Sequence, residues 1–541
     1  MLYRFLLYVS ILTSFTVAAP PAELATHSID AGSGSNVGTA GNHVLERLER
    51  RCDKVGSYFL LVNATPWKMT LSRNVSYQMN QFKFPETIKP GTSNRIYIQA
   101  KGHKDDAGEA SYKFKDLPGD PDFEFKYKSE TAGIRFTKLK TLNNKRGSFH
   151  KLAWHWDNNV PFIIASCEKD PRNPSLWPWL VSSNPPEDWM HSIYPRIACL
   201  TLRELAIPGT HNSGMSCFHR RSFFGTPANA QNQKLHIPEQ LKNGARWLDL
   251  RPSKTGGKWA TGHFSFGWGN WHGGNGEYLD KIIADVNDFT KRNKELIIIN
   301  VSHGLNSDTF KGKKNARMTQ REWNEVMTKL EKLNYRVENR SYVRDLTKLR
   351  VSQLIPGRAA VIIIIDDVID KKYYNGSQAS IKLAPVDVSA FAKKGFFQRS
   401  QFPLVDHYAE TKHQKKMAAD QLTKMKKHRK SPKSKIFLLS WILTQRMKPL
   451  IHNAEMANRA LIELLWPAMS ASTYPNIISV DAYPDNRDLA ALAMAINYHF
   501  APLCEIHTPS AGQDGYGESF ERRPKPIESG ALPWLNDTYS R

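Results

Sequence analysis

The hydrophobic and polar positions follow two different patterns along the chain. In residues 52–168, short apolar or alternating runs are separated by turn residues, which predicts an all-β, sandwich-like domain. Its predicted strands are 57–62, 94–99, 110–114, 123–127 and 161–166. A stretch rich in proline and tryptophan follows. Because proline does not fit inside regular elements, we expect residues 169–193 to be a linker.

From residue 194 the pattern changes to strongly apolar runs that alternate with helical segments. Such strands, apolar on both faces and separated by helices, indicate a parallel sheet covered by helices. We therefore expect an α/β fold in residues 194–505, a distorted (β/α)8 TIM-type barrel, before a polar tail at 506–541. The predicted strands are 205–207, 245–251, 296–301, 359–366, 436–443 and 476–481, and the clearest predicted helices are 276–291 and 319–333.

The N-terminal residues predict export. Residues 1–19 combine Arg4, an apolar run and small residues at the end, as in a cleaved signal peptide; an uncleaved anchor is the alternative. Residues 20–51 end in a dibasic pair and are a candidate pro-segment. Five cysteines predict one or two disulfides with one thiol left over, and six Asn-x-Ser/Thr sequons suit a secreted glycoprotein.

The charge of the chain predicts an anionic partner without naming it. Lys and Arg number 75 against 51 Asp and Glu, a formal charge of +24. Ten basic residues and one acid, Asp420, lie between Lys412 and Lys435. This segment is either a solvated helix and loop or a patch that docks on an anionic membrane surface. We do not expect nucleic acid, because no binding motif accompanies the charge and the chain is predicted to be exported.

Polar residues stand just after the predicted strands, where a barrel carries its chemistry. Two histidines, an arginine and carboxylates suit phosphodiester cleavage: one imidazole accepts a proton, the other donates one, and the guanidinium stabilises charge on phosphorus. The polar strand-end residues are His211, Asn212, Asp249, Arg251, His272, Ser302, His303, Asp366, Asp367 and Asp481.

Three segments that contain some of these residues resemble a known family. Residues 207–213 (IPGTHNS), 240–251 (QLKNGARWLDLR) and the pair His272-Gly273 are similar to the X domain of phosphatidylinositol-specific phospholipases C, within the superfamily of phospholipase-C-like phosphodiesterases. The resemblance extends over about 300 residues. It implies that His211 is the general base, that His272 is the general acid, and that the product is a cyclic inositol phosphate.

The resemblance also implies supporting roles. Arg251 stands where the bacterial, metal-independent enzymes have arginine; Asp249 would support it, and Asp481 would orient His211. We expect substrate contacts from Asn212, Ser302, Asp366 and Trp441, although the bacterial enzymes have aspartate at the position of Asn212 and lysine at that of Ser302. His263 competes with His272 for the role of acid. His272 is preferred because its His-Gly pair precedes the helix predicted from Gly276, as in the family.

No cofactor is expected, and in particular no calcium. Arg251 replaces one carboxylate ligand of the calcium-dependent enzymes, and Val301 stands in place of a glutamate. The implied substrate is an inositol phospholipid or glycolipid. The alternatives are a catalytically weak surface- or lipid-binding protein and a metal-dependent phosphodiesterase of glycerophosphodiesters or sphingolipids. The β domain, whose residues 62–67 and 88–93 faintly resemble aegerolysin-like lipid-binding proteins, is either a targeting module or a structural partner of the barrel.

Overall fold

The computed structural model describes residues 56–503, except 118, 156–157, 167–180, 220–221, 223–224, 268–269, 310–316, 339–342, 376–377 and 445–448. The predicted signal peptide, the pro-segment and the C-terminal tail therefore lie outside the described residues. Among the described helices, none is long and apolar enough to cross a membrane.

The N-terminal part folds into two β-sheets that face each other. One has the strand order β11-β10-β1-β5-β3 and the other β4-β2-β6-β7-β8-β9. A core rich in phenylalanine fills the space between them, with Phe59, Phe125 and Phe162 fully buried. The strands are β1 (Gly56–Ala64), β2 (Met69–Tyr77), β3 (Met79–Phe82), β4 (Thr87–Ile88), β5 (Ser93–Ala100), β6 (Ala107–Lys113), β7 (Asp122–Lys128), β8 (Thr131–Arg135), β9 (Phe149–Lys151), β10 (Asn159–Ala165) and β11 (Val181–Ser182).

The predicted linker is partly built into the fold. Val181–Ser182 pairs with β10 at the edge of the first sheet, and Trp189 is completely buried, with its indole N–H donating to the Gly244 carbonyl. Residues 181–193 thus join the two parts of the chain, whereas the first half of the expected linker lies outside the described residues.

The second part is a mixed α/β fold around one parallel, eight-stranded sheet. The strand order is β22-β19-β17-β13-β12-β25-β24-β23. The two shortest strands, β22 and β23, were not predicted. The eight strands are β12 (Ile207–Thr210), β13 (Trp247–Leu250), β17 (Leu296–Ser302), β19 (Ala360–Asp366), β22 (Phe396–Gln398), β23 (Leu404–Val405), β24 (Ile436–Trp441) and β25 (Ile477–Val480).

The sheet curls like a barrel but does not close. Hydrogen-bonded pairing runs in parallel register from β22 to β23 through six intervening strands, and the described strands show no pairing between these two ends. Alternate residues of the strands point inward and outward, which places Trp247, Ile298 and Ile364 in the interior and Leu248, Ile299 and Ile365 beneath the outer helices. The prediction of a parallel sheet is confirmed, whereas a closed barrel is not observed.

A smaller sheet lies over the end of the barrel where its strands finish. The chain leaves β13 and β17 directly into β14 (Pro252–Thr255) and β18 (Leu305–Asn306), which pair in parallel. The strands β15 (Lys258–Gly267) and β16 (Asn270–Tyr278) complete this sheet as an antiparallel hairpin. A second hairpin, β20 (Val368–Asn375) and β21 (Gln378–Pro385), follows β19.

The start of helix α6 (Gln320–Leu330) is fixed by its flanking side chains. Thr319 and Glu322 form a capping box at the start of α6, with the Thr319 N–H donating to the carboxylate over 2.7 Å. The helix expected at 276–291 begins only at Leu279. The helices are α1 (Trp189–Ser192), α2 (Tyr194–Ile197), α3 (Pro227–Ala230), α4 (Ile237–Lys242), α5 (Leu279–Arg292), α6 (Gln320–Leu330), α7 (Val351–Leu354), α8 (Gln414–His428), α9 (Leu450–Leu465) and α10 (Asp488–His499).

The last helix, α10, joins the two parts. It packs against β10 and β1 on one side and against β12 on the other, and its residues from Asp488 to Tyr498 are buried. A helix that is buried on all faces needs apolar residues all round, as its sequence DLAALAMAINYH has. Nearby, Glu463 accepts a 2.7 Å hydrogen bond from the Asn159 amide and pairs with Arg95 at 3.3 Å. The β domain and the barrel therefore share one core.

The structure describes some of the cysteines and some of the glycosylation sequons. Cys199 is disulfide-bonded and Cys217 is a free thiol. Among the sequons, Asn74 is exposed on β2, whereas Asn63 is fully buried and bonds to the carbonyls of Trp67 and Ile88. Attachment of a glycan to Asn63 would therefore require disruption of the folded β domain.

Candidate active site

His211 stands directly after β12 at the barrel mouth, and its ring is held at both nitrogens. Nδ1 lies 2.8 Å from Oδ1 of Asp481, which follows β25, the neighbouring strand. Nε2 lies 2.7 Å from the guanidinium Nη2 of Arg251, which follows β13 on the other side. Three adjacent strands thus deliver these three side chains to one point. The ring of His211 is buried, with 8% of its surface exposed.

These contacts determine where the His211 proton sits. A guanidinium only donates hydrogen bonds, so Nε2 of His211 accepts from Arg251 and carries no proton. Nδ1 then carries the proton and donates it to Asp481. The imidazole is therefore neutral, with a basic lone pair directed at Arg251, which is the form that a general base requires.

The carboxylate of Asp249 forms an ion pair with the guanidinium of Arg251. Its Oδ2 lies 3.0 Å from Arg251 Nη2 and accepts a 2.9 Å hydrogen bond from the backbone N–H of Asn212. Burial alone would raise the pKa of Asp249, but the charge of Arg251 and the hydrogen bond from Asn212 outweigh it and lower that pKa to about 2. The carboxylate is therefore charged at any working pH. Asn212 adopts a left-handed backbone (φ 48°), which turns its N–H toward Asp249.

Two residues that the sequence prediction missed brace the His211–Asp481 pair. The amide of Asn232 donates to Asp481 Oδ1 over 2.9 Å and accepts from the Asn212 amide over 2.9 Å. The amide of Gln233 donates to the backbone carbonyl of His211 over 2.7 Å. Both residues lie in the loop after β12 and are fully buried. Asn232 contacts Asp481, and Gln233 contacts the carbonyl of Val480, across about half of the chain, so no local sequence signal could have identified them.

The hairpin β15–β16 carries both candidates for the general acid. His263 faces Gly274 across the hairpin, and His272 faces Ser265, two pairs further toward the tip. The hairpin is fixed against the His211 loop: Thr261 Oγ1 donates to the Gly214 carbonyl over 2.9 Å. A Cβ on Gly276 would lie 2.1 Å from that same carbonyl oxygen. Strand β16 therefore continues through residues 276–278, where the sequence predicted a helix.

The surroundings of His263 lower its pKa and fix its tautomer. Burial lowers its pKa to about 4, and the charge of Arg251 contributes to that shift. Its Nδ1 lies 3.0 Å from the Ala230 carbonyl, which can only accept. Nδ1 therefore carries a proton, and Nε2 is the atom available for proton exchange. The argument that favoured His272 rested on a helix starting at Gly276, and this helix is not observed.

A cavity of about 290 Å³ opens beside His211, between β13, β17, β19 and the segment after β23. Ser302 lines it and donates to Asp249 over 3.2 Å. Its neighbour His303 also faces the cavity, and Arg251 together with burial lowers the pKa of His303 to about 3. Tyr408 covers the other side, where its hydroxyl accepts a 3.2 Å hydrogen bond from Arg251. His303 had been noticed only as a strand-end residue, and Tyr408 was missed.

Two residues predicted to contact substrate have different positions. Asp366 lines the cavity and forms a 3.0 Å ion pair with Arg399. Trp441 does not reach the cavity: its side chain is 1% exposed in the core, and its indole N–H donates to the Ala457 carbonyl in α9. Alternation along β24 turns Ser440 inward and Trp441 outward. The prediction for Trp441 is therefore wrong.

The basic segment extends along the outside of the barrel. Helix α8 starts on the mouth side, after β23, and ends near the start of β24, so Lys430, Lys433 and Lys435 lie at the end of the barrel opposite His211. Arg429 is fully buried, with its guanidinium donating to backbone carbonyls, among them those of Tyr474 and Arg203. Only the first part of the segment, from Lys412 to about Lys424, stands on the mouth side, where Lys424 donates to the carbonyls of His407 and Tyr408.

The described side chains offer no group of three or more His, Cys, Asp or Glu residues arranged to hold a metal ion. At the mouth, the position where a cation would neutralise Asp249 is taken by Arg251. The expectation of a calcium-independent site stays a prediction.

The similarity of this chain to known proteins is low. No protein-family model matches the chain, and no curated protein has a similar sequence. Among solved structures, phosphatidylinositol-specific phospholipase C from Staphylococcus aureus is 13% identical, with 59% of this chain and 98% of that enzyme covered at a TM-score of 0.40. The corresponding enzyme from Listeria monocytogenes is 14% identical (55% and 95% covered, TM-score 0.36). The lipid-binding protein Nakanori is 10% identical (24% and 78% covered, TM-score 0.18). Likeness at this level does not assign a reaction.

Proposed function

We propose that this protein is a metal-independent phosphodiesterase of the phospholipase C type, which cleaves inositol phospholipids or glycolipids. The observation that carries the proposal is the triad of contacts Asp481–His211–Arg251, in which an imidazole with a fixed tautomer stands beside a guanidinium that Asp249 holds in place. A base next to a cation is suited to an anionic substrate that contains its own nucleophilic hydroxyl.

The proposed reaction begins when the phosphodiester replaces His211 as the acceptor of the Arg251 hydrogen bond. This frees Nε2 of His211, which takes the proton of the inositol 2-hydroxyl while that oxygen attacks phosphorus. Asp481 stabilises the resulting imidazolium through Nδ1. Arg251 balances the negative charge that develops on the phosphoryl oxygens, and Asp249 holds the guanidinium in place.

His263, rather than His272, is proposed as the general acid. Its Nε2 proton passes to the glycerol oxygen as the bond between that oxygen and phosphorus breaks, which yields diacylglycerol and a cyclic inositol phosphate. A pKa of about 4 in the empty site is low for this role. A bound phosphodiester adds a negative charge near the ring, which opposes the effect of Arg251 and raises that pKa.

The remaining expectations belong to the same proposal. The protein is proposed to be secreted and to act on an anionic membrane surface, with the barrel mouth toward the lipid. Docking would then involve only the part of the basic segment from Lys412 to about Lys424, since Lys430 to Lys435 lie at the opposite end. The β domain, which shares a core with the barrel through α10, is proposed as a structural partner.

A 31P NMR assay on phosphatidylinositol micelles tests the proposed reaction. We expect a cyclic inositol phosphate signal with the wild-type protein, with and without EDTA, and none with His211→Ala. The matched control is His272→Ala, which removes a histidine from the same hairpin as His263. Equal signals from wild type and His211→Ala, or no product from any inositol lipid, would favour a binding protein; activity lost in EDTA and restored by calcium would favour a metal-dependent enzyme.

A further inference from the structure

The β domain carries a group of basic side chains that the proposed reaction does not use. Residues 131–155 form β8, β9 and the loop between them, and they include six Lys and Arg but no Asp or Glu. All six are exposed, and we call them the basic patch: Arg135, Lys138, Lys140, Lys145, Arg146 and Lys151. Because helix α10 packs on the first sheet of the β domain, the second sheet and its basic patch lie on the side away from the barrel.

Acidic residues on the neighbouring strands do not neutralise the basic patch. Two acids and two bases of β2, β6 and β7 form their own ion pairs, namely Glu109 with Arg73 (3.0 Å) and Lys126 (2.6 Å), and Glu124 with Lys126 (3.5 Å). Asp122 adds one negative charge beside the patch, where it accepts a 3.0 Å hydrogen bond from the Lys138 backbone N–H. Six positive charges and one negative charge leave an excess of +5.

An exposed aromatic ring lies within the basic patch. In the pairing of β8 with β9, Phe149 stands opposite Arg135, and Lys151 stands opposite Gly133, the next position on the same face. The Phe149 ring lies over Gly133, where a Cβ would be 2.2 Å from Cζ of the ring. Phe149 is nevertheless 51% exposed. The patch therefore offers an aromatic surface beside Arg135 and Lys151.

The loop between β8 and β9 is held in place by the chain that joins the two parts of the protein. Thr141 Oγ1 lies 3.1 Å from the Ser182 hydroxyl, and the amide of Asn144 donates to the same hydroxyl over 3.0 Å. The amide of Asn143 donates to the Asn184 carbonyl over 3.1 Å. A ligand that binds to a loop ordered in advance loses less affinity to the ordering of that loop.

We propose that the basic patch and Phe149 bind an acidic polysaccharide, a chain of sugars that carries carboxylate or sulfate groups. The face of an aromatic ring is negative, so it attracts the C–H groups of a sugar ring, and arginine and lysine pair with the acidic groups beside it. This binding goes beyond the proposed reaction and rests only on the proposed secretion, which would bring the protein to extracellular glycans. The β domain then serves both as a structural partner of the barrel and as a binding module.

An anionic membrane and a nucleic acid share the negative charge of such a polymer. Side chains that anchor a protein at a membrane reach into the lipid, whereas the Phe149 ring rests on Gly133. A secreted protein meets polysaccharides rather than nucleic acids. Both rivals are therefore compared in the test.

Calorimetric titration of the full chain at low salt tests the inference, with polygalacturonate as the ligand and its fully methyl-esterified, uncharged form as the control polymer. We expect the acidic polymer to bind at least about tenfold more tightly. The double variant Lys145→Ser/Arg146→Ser should weaken this binding about tenfold, as for the loss of two exposed charge pairs. The matched variant Lys291→Ser/Lys332→Ser removes the same charge from the outer surface of the barrel and should bind like the wild type.

Substitutions of Phe149 separate binding from stability. Phe149→Leu still covers Gly133 but lacks the aromatic face, so we expect an unchanged free energy of unfolding and binding weakened about fivefold. Phe149→Tyr should keep both. Wild-type binding in Phe149→Leu, or equal losses in the two double variants, would overturn the inference.

The same titration with phosphatidylserine vesicles and with single-stranded DNA compares the rival partners. Tighter binding of either one, lost in Lys145→Ser/Arg146→Ser, would assign the basic patch to that partner and overturn the inference. The proposed reaction is judged separately by the 31P assay, because a protein that cleaves no inositol lipid can still bind the polysaccharide and an active one can fail to bind it.

Discussion

Arg251 Nη2 lies 2.7 Å from His211 Nε2, a contact that a protonated imidazole could not make. The guanidinium therefore donates to the nitrogen that serves as the proposed general base, at the place where the phosphodiester is proposed to bind. Because Asp249 is 3.0 Å from the same guanidinium nitrogen, the charge of Arg251 is compensated until substrate arrives.

Two substitutions of Arg251 should distinguish the effect of its positive charge from the effect of its planar guanidinium shape. Arg251→Gln leaves Asp249 as a buried, unpaired carboxylate, so we expect the free energy of unfolding to fall by about 3 kcal/mol, as for other broken buried pairs. Arg251→Lys keeps the charge and should retain most of that stability, yet lose activity because a lysine cannot contact His211, Asp249 and phosphate together. Urea denaturation and the 31P assay check both; equal stability of the two variants would contradict this account of Asp249.

The stability of the protein should fall as the pH falls from about 6.5 to 4. The pKa of His263 is lowered to about 4 by burial and by nearby positive charge, so the unfolded chain binds a proton in this range that the folded chain does not. The contribution is fully present above pH 6.5 and is lost on acidification, by up to about 1.4 kcal/mol per pH unit.

His263→Gln tests this linkage directly. The pH dependence of the unfolding free energy should become shallower in the variant by up to one proton, with the remaining slope due to groups such as His303. Denaturant titrations at several pH values between 4 and 7 measure it. An unchanged slope in the variant would show that His263 keeps an ordinary pKa in the folded protein.

Asn232 should act as a positioning residue for the His211–Asp481 pair. Asn232→Ala removes a hydrogen bond to a charged carboxylate, and we expect kcat to fall roughly tenfold or more with KM changed less than about twofold. Asn232→Asp should be worse, because two carboxylates would then face each other 2.9 Å apart. Steady-state kinetics over pH 5 to 9 would distinguish this from a loss of folding; a change confined to KM would argue against it.

The sequence patterns that predicted the fold were those with a local physical cause. Long apolar runs identified strands such as β17 and β19, because these are buried on both faces. The strands Phe396–Gln398 and Leu404–Val405 are too short to show a period, and the end of β16 is extended because Gly276 packs against Gly214, a contact far away in sequence.

The sequence predicted some residues of the site and missed others. His211, Arg251 and Asp481 follow strands, Asp249 lies near the end of β13, and the structure brings the four together. Asn232, Gln233 and Tyr408 lie in loops without a pattern, and their contacts depend on the folded barrel. The choice between His263 and His272 depended on one helix boundary, which local propensity places poorly when a tertiary contact competes with it.

The coupling of the two domains should be visible in unfolding. Glu463 accepts from Asn159 and pairs with Arg95, whose guanidinium also lies 3.2 Å above the Tyr58 ring. Glu463→Ala should therefore lower the unfolding free energy by about 3 kcal/mol, since it leaves Arg95 partly buried without its carboxylate. Arg95→Met, in which the partner charge is removed instead, serves as comparison. A loss below about 0.5 kcal/mol in both variants would show that this contact does not couple the domains.

The proposed roles of His211 as general base and His263 as general acid are tested most directly by changing the leaving group of the substrate. An inositol phosphodiester with a nitrophenol leaving group needs no general acid, whereas the natural glycerol ester does. The account predicts that His263→Ala loses at least a hundredfold in kcat on the lipid but less than about tenfold on the nitrophenyl ester, while His211→Ala loses activity on both and His272→Ala on neither. Equal losses of His263→Ala on the two substrates, or a leaving-group dependence that follows His272 instead, would contradict it.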